Sequence, residues 1–244
     1  NLIAKNSHQI PSNSSSSKVL LRQLTPQILD PLARELANAV QWVPFQGLEA
    51  KKTPNKESIS PESSESYPVA IIGKGSPLLL LHGFDSSFLE FRRLAPLLKD
   101  HHQLVIPDLF GFGFCPRPLH AEYGLEMLVR HLERVLAHIF SDSPIGLIGA
   151  SMGGAIAMEM ARRYPEKINR LLLLSPAGLT GRPMRIPRPL DQLGVWFLSR
   201  PEVRKGLCRQ AFADPNSSVG APEEQIASLH LKVPGWGSSL AAFA

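Results

Sequence analysis

The sequence predicts an α/β protein, a doubly wound and mostly parallel sheet with a helical cap, and three observations carry that reading. Strand-like and helix-like patterns alternate from Pro77 to Leu174. Short, fully apolar runs such as Pro77 to Leu81 and Ile145 to Ile148 read as strands buried on both faces. After Gly178 the composition turns rich in Pro and Arg, with short apolar clusters, as expected of helices laid over the sheet's C-terminal edge. The 244 residues are enough for one large domain, and 43% are hydrophobic, enough for a sizeable core.

Taken in order, residues 1–24 read as a disordered leader, with four consecutive serines from Ser14 to Ser17. Residues 25–178 form the core unit. It opens with an extra helix from Pro26 to Val40, where Ile28, Leu29, Leu32, Leu36 and Val40 recur at helical spacing and Thr25 stands as N-cap before Pro26. Gln41 to Glu49 reads as a strand, and Lys51 to Pro68, rich in Ser, Pro, Glu and Lys, as a solvated loop. Val69 to Gly73 and Pro77 to Leu81 are strands, Phe88 to Leu98 a helix, Gln103 to Pro107 a strand, and Leu125 to Phe140 a long amphipathic helix. Ile145 to Ile148 is a strand, Gly153 to Tyr164 a helix, and Asn169 to Leu174 a strand. Residues 179–244 form the cap, with a short helical pattern from Pro222 to Leu231.

Composition excludes several classes. The net charge is +5, without a dense Lys/Arg stripe interleaved with aromatics, so no nucleic-acid partner is expected. Ile145 to Ala161 is apolar but contains Glu159 and a glycine-rich turn, so no integral membrane span is read. Cys115 and Cys208 stand far apart, which suggests neither a disulfide framework nor a metal site, and no cofactor is expected. With no signal peptide visible, a cytoplasmic location is expected, with a plastid stroma as the alternative. The chain starts at Asn1 rather than Met, and the oligomeric state is left open.

One motif organises the rest. Leu147 to Gly154 has the form apolar strand, Gly149-x-Ser151-x-Gly153, then a helix-forming run. A serine on a tight strand-to-helix turn has its hydroxyl pushed outward, and small residues two before and two after leave room for the crowding. The turn sets Ser151 beside a helix N-terminus, where free N–H groups favour developing negative charge. The alternative is a glycine-rich turn with an incidental serine.

The order strand, His82-Gly83, helix, strand, Asp108-x-x-Gly111-x-Gly113, helix, strand, Gly149-x-Ser151-x-Gly153, helix, strand and cap resembles the α/β-hydrolase superfamily, in particular its capped esterase and carbon–carbon-bond hydrolase branches. The resemblance covers about residues 67 to 244. It implies the α/β-hydrolase fold, with Ser151 as nucleophile and the backbone N–H groups of Met152 and Phe84 as the oxyanion hole. His82 would shape its loop rather than act as base, and Asp108 and Gly111 would shape the loop after the preceding strand. Members often carry Ser shortly after the Gly-x-Gly; here Phe114-Cys115 stands instead, with Cys115 either at the pocket mouth or buried and inert.

A serine needs a base and the base an orienting acid. In this superfamily both follow the serine, but after Ser151 the chain has one histidine, His230, and two aspartates, Asp191 and Asp214, all in the cap-like region. His230 reads as a surface or packing residue and Asp214-Pro215 as a turn. The acid and histidine are therefore expected beyond Ala244, with the chain apparently truncated before the family's last strands, which would leave an apolar sheet edge open. The expected function is a serine hydrolase of an ester, thioester or activated C–C bond in a small, largely hydrophobic substrate. The alternatives are an acyltransferase of the same fold, or a non-catalytic binding protein if the chain ends at Ala244. The cap arginines would form either a solvated surface or an anion site.

Overall fold

The computed structural model of the protein describes residues 14–44, 65–118, 121–140, 143–178 and 190–243. Its centre is a six-stranded sheet of β1 (Val40–Pro44), β2 (Ser66–Ile72), β3 (Ser76–Leu81), β4 (His102–Pro107), β5 (Ile145–Ala150) and β6 (Ile168–Leu174). The spatial order is β1-β2-β4-β3-β5-β6. β1 pairs with β2, and β2 with β4, antiparallel; β4, β3, β5 and β6 run parallel. The mostly parallel, doubly covered sheet is thus as expected.

The alternation of side chains along each strand shows why both faces must be covered. Leu79 and Leu81 face one way with Val69, Val105 and Leu147, under α4 (Leu125–Ile139) and α5 (Met152–Arg163). Leu80 faces the other way with Ala70, Leu104, Ile106 and Ile148. Leu79, Leu80 and Leu81 are all fully buried, and each such side chain contributes about 1.5–3 kcal/mol through removal from water. A strand apolar on both faces is stable only between two layers.

The second face differs from expectation at the N-terminal end. Ser14–Leu24 is a helix, α1, and not part of a disordered leader. Its serines occupy only the first turn, while Leu21 and Leu24 are buried against the core. Thr25 is not the N-cap of a long helix; it begins a 3₁₀ turn, Thr25–Gln27, and its hydroxyl donates to Leu21 O at 2.7 Å, closing α1. The expected helix from Pro26 to Val40 is broken, because Pro31 pushes Asp30 into extended backbone, with ψ of 118°. Asp30 instead caps α2 (Pro31–Asn38), accepting from the N–H groups of Leu32 and Ala33. Val40 belongs to β1, which ends at Pro44. Residues 45–64, which include most of the expected loop, lie outside the described residues, but Ser66 to Pro68 of that loop are already strand β2.

The expected helix from Phe88 to Leu98 is a 3₁₀ stretch, Phe88–Arg93, followed by the single turn α3 (Ala95–Leu98). After β6 come α6 (Leu190–Leu198), α7 (Pro201–Gln210), α8 (Pro215–Ser218), α9 (Ala221–Ile226), a 3₁₀ turn at Leu229–Lys232 and α10 (Trp236–Phe243). Asp214 caps α8 rather than forming a plain turn. Phe243 of α10 stacks on Phe112 with ring centroids 4.5 Å apart, which ties this helical region to the loop after β4. β6 is the edge strand among the described residues, and Leu171, Leu172 and Leu174 on it are exposed. No described helix is long and apolar enough to cross a membrane.

Candidate active site

The C-terminal ends of β3, β4 and β5 converge on Ser151. It sits between β5 and α5 with φ of 50°, left-handed backbone that side chains other than glycine's rarely adopt. Its N–H donates to Leu174 O and its carbonyl accepts from Gly154 and Ala177. The two glycines of the motif are required by contact. A methyl group on Gly149 would lie 2.4 Å from Gly153 O, and one on Gly153 would lie 2.1 Å from Leu81 O. The turn therefore rests directly on the end of β3, which carries His82 to Ser86 past the serine. A methyl group built on Gly83 would be 3.4 Å from Ser151 Cβ.

Two backbone N–H groups adjoin this contact in the chain. Met152 is the first residue of α5 and Phe84 follows Gly83; the N–H of neither is bonded to a described acceptor. Phe84 is 45% exposed. No described side chain hydrogen-bonds the Ser151 hydroxyl.

His82 is fully buried and both ring nitrogens are engaged. Nε2 accepts from Leu109 N–H at 3.0 Å, so Nδ1 carries the proton and donates to Gly83 O at 2.8 Å. Burial holds its pKa down at about 4. Asp108 is equally buried and ties two segments together: Oδ1 accepts from Phe88 N–H and Oδ2 from Phe114 N–H, each at 2.6 Å. Burial pushes its pKa up to about 7 against those two donors. Gly111, with φ of 80°, turns the chain after β4, and its carbonyl accepts from Arg117 and Ser239. Cys115 is fully buried, donates to Asp108 O and has its pKa raised by burial, so it is the inert thiol and not a pocket-mouth residue.

A cavity of about 560 Å³ opens over Ser151, between the 83–86 loop and the helices of residues 190–243. Leu198, Leu207, Phe212 and Ile226 supply apolar wall. Its arginines are paired with carboxylates. Arg92 reaches Asp30 at 2.8 Å and Glu223 at 3.5 Å, and Arg204 pairs with Asp85. Arg204 is therefore neither a solvated surface residue nor free for an anion. Glu90 accepts from Gly83 N–H at 2.9 Å, and burial raises its pKa.

His230 is not at the surface. It is 2% exposed, and its Nε2 donates to Asp85 Oδ1 at 3.0 Å. Burial lowers its pKa against the pull of Asp85, so the ring is neutral. Burial would raise Asp85, but the bonds from His230, Arg204 and Trp236 outweigh it and keep the carboxylate ionised. His230 lines the cavity over Ser151, but its Nε2 is held by Asp85 and its Nδ1 is sealed from solvent without a partner, so no hydrogen bond joins it to the Ser151 hydroxyl. Asp214 sits at an exposed helix cap, and the side chain of Asp191 lies outside the described residues.

Asp85, Glu90, Arg204 and Trp236 were not legible as site residues. The one local signal was Asp85 itself, an acid immediately after Phe84 in His82-Gly83-Phe84-Asp85. Among the described residues no group of His, Cys, Asp and Glu could hold a metal ion.

Residues 76–214 match a family model described as alpha/beta hydrolase fold. The chain is 31% identical over 177 residues to a 2-hydroxy-6-oxo-2,4-heptadienoate hydrolase of Pseudomonas putida, a match over 70% of this chain and 61% of that protein. It is 26% identical to the alpha/beta hydrolase domain-containing protein VTE7 of Arabidopsis thaliana, over 96% of this chain and 71% of that one. Among solved structures, wild-type Cfl2 of Burkholderia cenocepacia superposes with a TM-score of 0.59 at 24% identity, covering 73% of this chain and 66% of that chain, a likeness of fold. The chain thus spans about three-fifths of the Pseudomonas relative's length.

Proposed function

The chain belongs to the alpha/beta hydrolase fold family, and from that premise we propose that it is a serine hydrolase working through an acyl-enzyme on Ser151. The carrying observation is the strained Ser151 turn, which with Phe84 lines a largely apolar cavity, and the N–H groups of Phe84 and of Met152, the residue after Ser151, have no described acceptor. Strain of this kind persists where surrounding structure over-determines it, and it gathers at functional turns.

The chemistry follows from the placement. Ser151 Oγ adds to the substrate carbonyl while its proton passes to a base. The carbonyl oxygen becomes an oxyanion received by the Phe84 and Met152 N–H groups; removing one such donor costs about 10²–10³ in rate. Collapse expels the leaving group, which takes the proton back from the base, and leaves the acyl group on Ser151. Water activated by the same base then releases the acid. His82 is excluded as that base because both ring nitrogens are occupied. None of the described histidines hydrogen-bonds the Ser151 hydroxyl.

The apolar wall favours a small, largely hydrophobic substrate, and the paired state of Arg92 and Arg204 argues against a carboxylate anchor in this cavity. An ester, a thioester or an activated carbon–carbon bond meets the requirement of an attackable carbonyl with a competent leaving group; the name of the Pseudomonas relative, a hydrolase of 2-hydroxy-6-oxo-2,4-heptadienoate, supports including the last. Residues 179–244 act as the cap that closes over it. The test is labelling of the natural full-length protein with a fluorophosphonate. Wild type labels and Ser151→Ala does not. An unlabelled, folded wild type refutes the proposal.

A further inference from the structure

Asp85 is the residue after the Phe84 donor, and it is held in an unusual way. Its φ is 49°, left-handed backbone in a residue that is not glycine. Its carboxylate receives donors from three separate elements of the helical region. Trp236 Nε1 of α10 donates to Oδ1 at 2.8 Å, and His230 Nε2 of the 3₁₀ turn donates to the same oxygen at 3.0 Å. Arg204 Nη1 of α7 donates to Oδ2, and the same guanidinium reaches Ala227 O through Nη2. The side chains of Asp85 and Arg204 are each 9% exposed and that of His230 3%, so this is a buried junction. On the opposite side of the loop, Glu90 Oε2 holds Gly83 N–H. Phe84 lies between these two grips.

We infer that Asp85 is a positioning residue, through which the helical region sets the backbone of the oxyanion loop and so the aim of the Phe84 N–H; the inference rests on the serine-hydrolase reading of Ser151. The loop is constrained at both ends. The chain's exit from Phe84 is fixed by the left-handed turn at Asp85, and that turn has no glycine to make it easy. A carboxylate with three charged or ring N–H donors cannot shift without stranding them in a buried place. The Glu90 bond fixes the loop's entry. With entry and exit both fixed, the peptide between them presents its N–H in one direction before substrate arrives, which is what makes such a donor effective. Docking of the helical region and completion of the oxyanion site are then a single structural event.

The experiment uses the natural full-length protein with p-nitrophenyl butyrate as substrate and a fluorophosphonate as active-site titrant. Asp85→Asn keeps shape but offers one acceptor oxygen and sets an amide N–H₂ against a donor. Its kcat is expected to fall at least 100-fold with KM within about threefold, the signature of a lost transition-state donor. Trp236→Phe keeps the ring and removes one donor, and its kcat is expected to fall about tenfold. In the Asp85→Asn background Trp236→Phe should cost little further, because both act through one carboxylate. A residue that only stabilised the fold would lower the unfolding midpoint and leave kcat per titrated site unchanged. Unchanged kcat per site in folded Asp85→Asn overturns the inference. If Asp85→Asn does not fold, unchanged kcat in Trp236→Phe overturns it instead. A wild type that neither turns over the ester nor titrates overturns the hydrolase reading, and this inference with it.

Discussion

Adding one methyl group at Gly153 should be among the most damaging small changes to this protein. The Cβ of Gly153→Ala would lie 2.1 Å from Leu81 O and 2.6 Å from His82 O, where real Cβ atoms essentially never come within 3.0 Å. Relief requires α5 and the end of β3 to part by about 1 Å. Neither side can give easily. Leu81 is fully buried and paired in register with Gly149, and α5 begins at the strained Ser151 turn. Overpacking typically costs about 1–3 kcal/mol, and opposition by main chain rather than a flexible side chain places this case at about 3 kcal/mol or above. For a protein of this length that corresponds to a fall in unfolding midpoint of about 6–12 °C. The assay is urea unfolding of wild type and variant, with Gly206→Ala as the matched control. Gly206 lies in α7 with nothing within 4 Å of an added Cβ, so the same methyl group there should stabilise by about 0.5–1 kcal/mol through helix propensity. A Gly153→Ala protein within about 0.5 kcal/mol of wild type, with unchanged denaturant slope, would refute the close-contact argument.

Asp108→Asn leaves one acceptor for the two N–H groups of Phe88 and Phe114, so stability should fall by about 1–3 kcal/mol in the same assay. Ser151→Gly should abolish fluorophosphonate labelling and raise stability by about 1 kcal/mol, since it removes the left-handed strain at φ of 50°. His82 and His131 are buried and neutral, each with its pKa lowered by burial from 6.5 to about 4. The unfolded chain therefore binds protons there that the folded chain refuses, and stability should drop as pH falls from 6.5 toward 4, by about 3 kcal/mol per histidine at the acid end. Asp108, raised to about 7 by burial, works in the opposite sense, its contribution being lost as pH rises toward 7, and it offsets only part of the loss from two histidines. Unfolding midpoints at pH 7, 5.5 and 4.5 check the sign; a flat or rising midpoint on acidification would refute it. Cys115, buried and hydrogen-bonded to Asp108 O, should react with a thiol reagent only after unfolding, as counted by mass.

Much of the core was legible because its information is local. Short apolar runs mark strands buried on both faces, and every strand expected from Val69 onward is present, with boundaries within two residues except at β2, which begins three residues earlier, at Ser66. The Ser151 turn was legible through its local glycine spacing, and Gly149 indeed meets only the turn itself, whereas Gly153 is held to glycine by the end of β3 at Leu81 and His82, far away in sequence. At the N-terminal helices two local signals compete. The serine run outweighed Leu21 and Leu24, and helical periodicity across Ile28 to Val40 outweighed the break that Pro31 imposes at Asp30.

The sequence by itself determined the sheet, the order of its elements and the glycine-framed serine, because strand period, turn sterics and helix start signals act over a few residues. Only the tertiary structure decided what His230, Arg204 and Trp236 do. They meet Asp85 across separations of 145, 119 and 151 residues, and nothing in their own neighbourhoods distinguishes them from surface residues of short helices. A buried carboxylate selects its donors by where folding brings them, and that geometry exists only once the helical region is seated on the loop that passes Ser151.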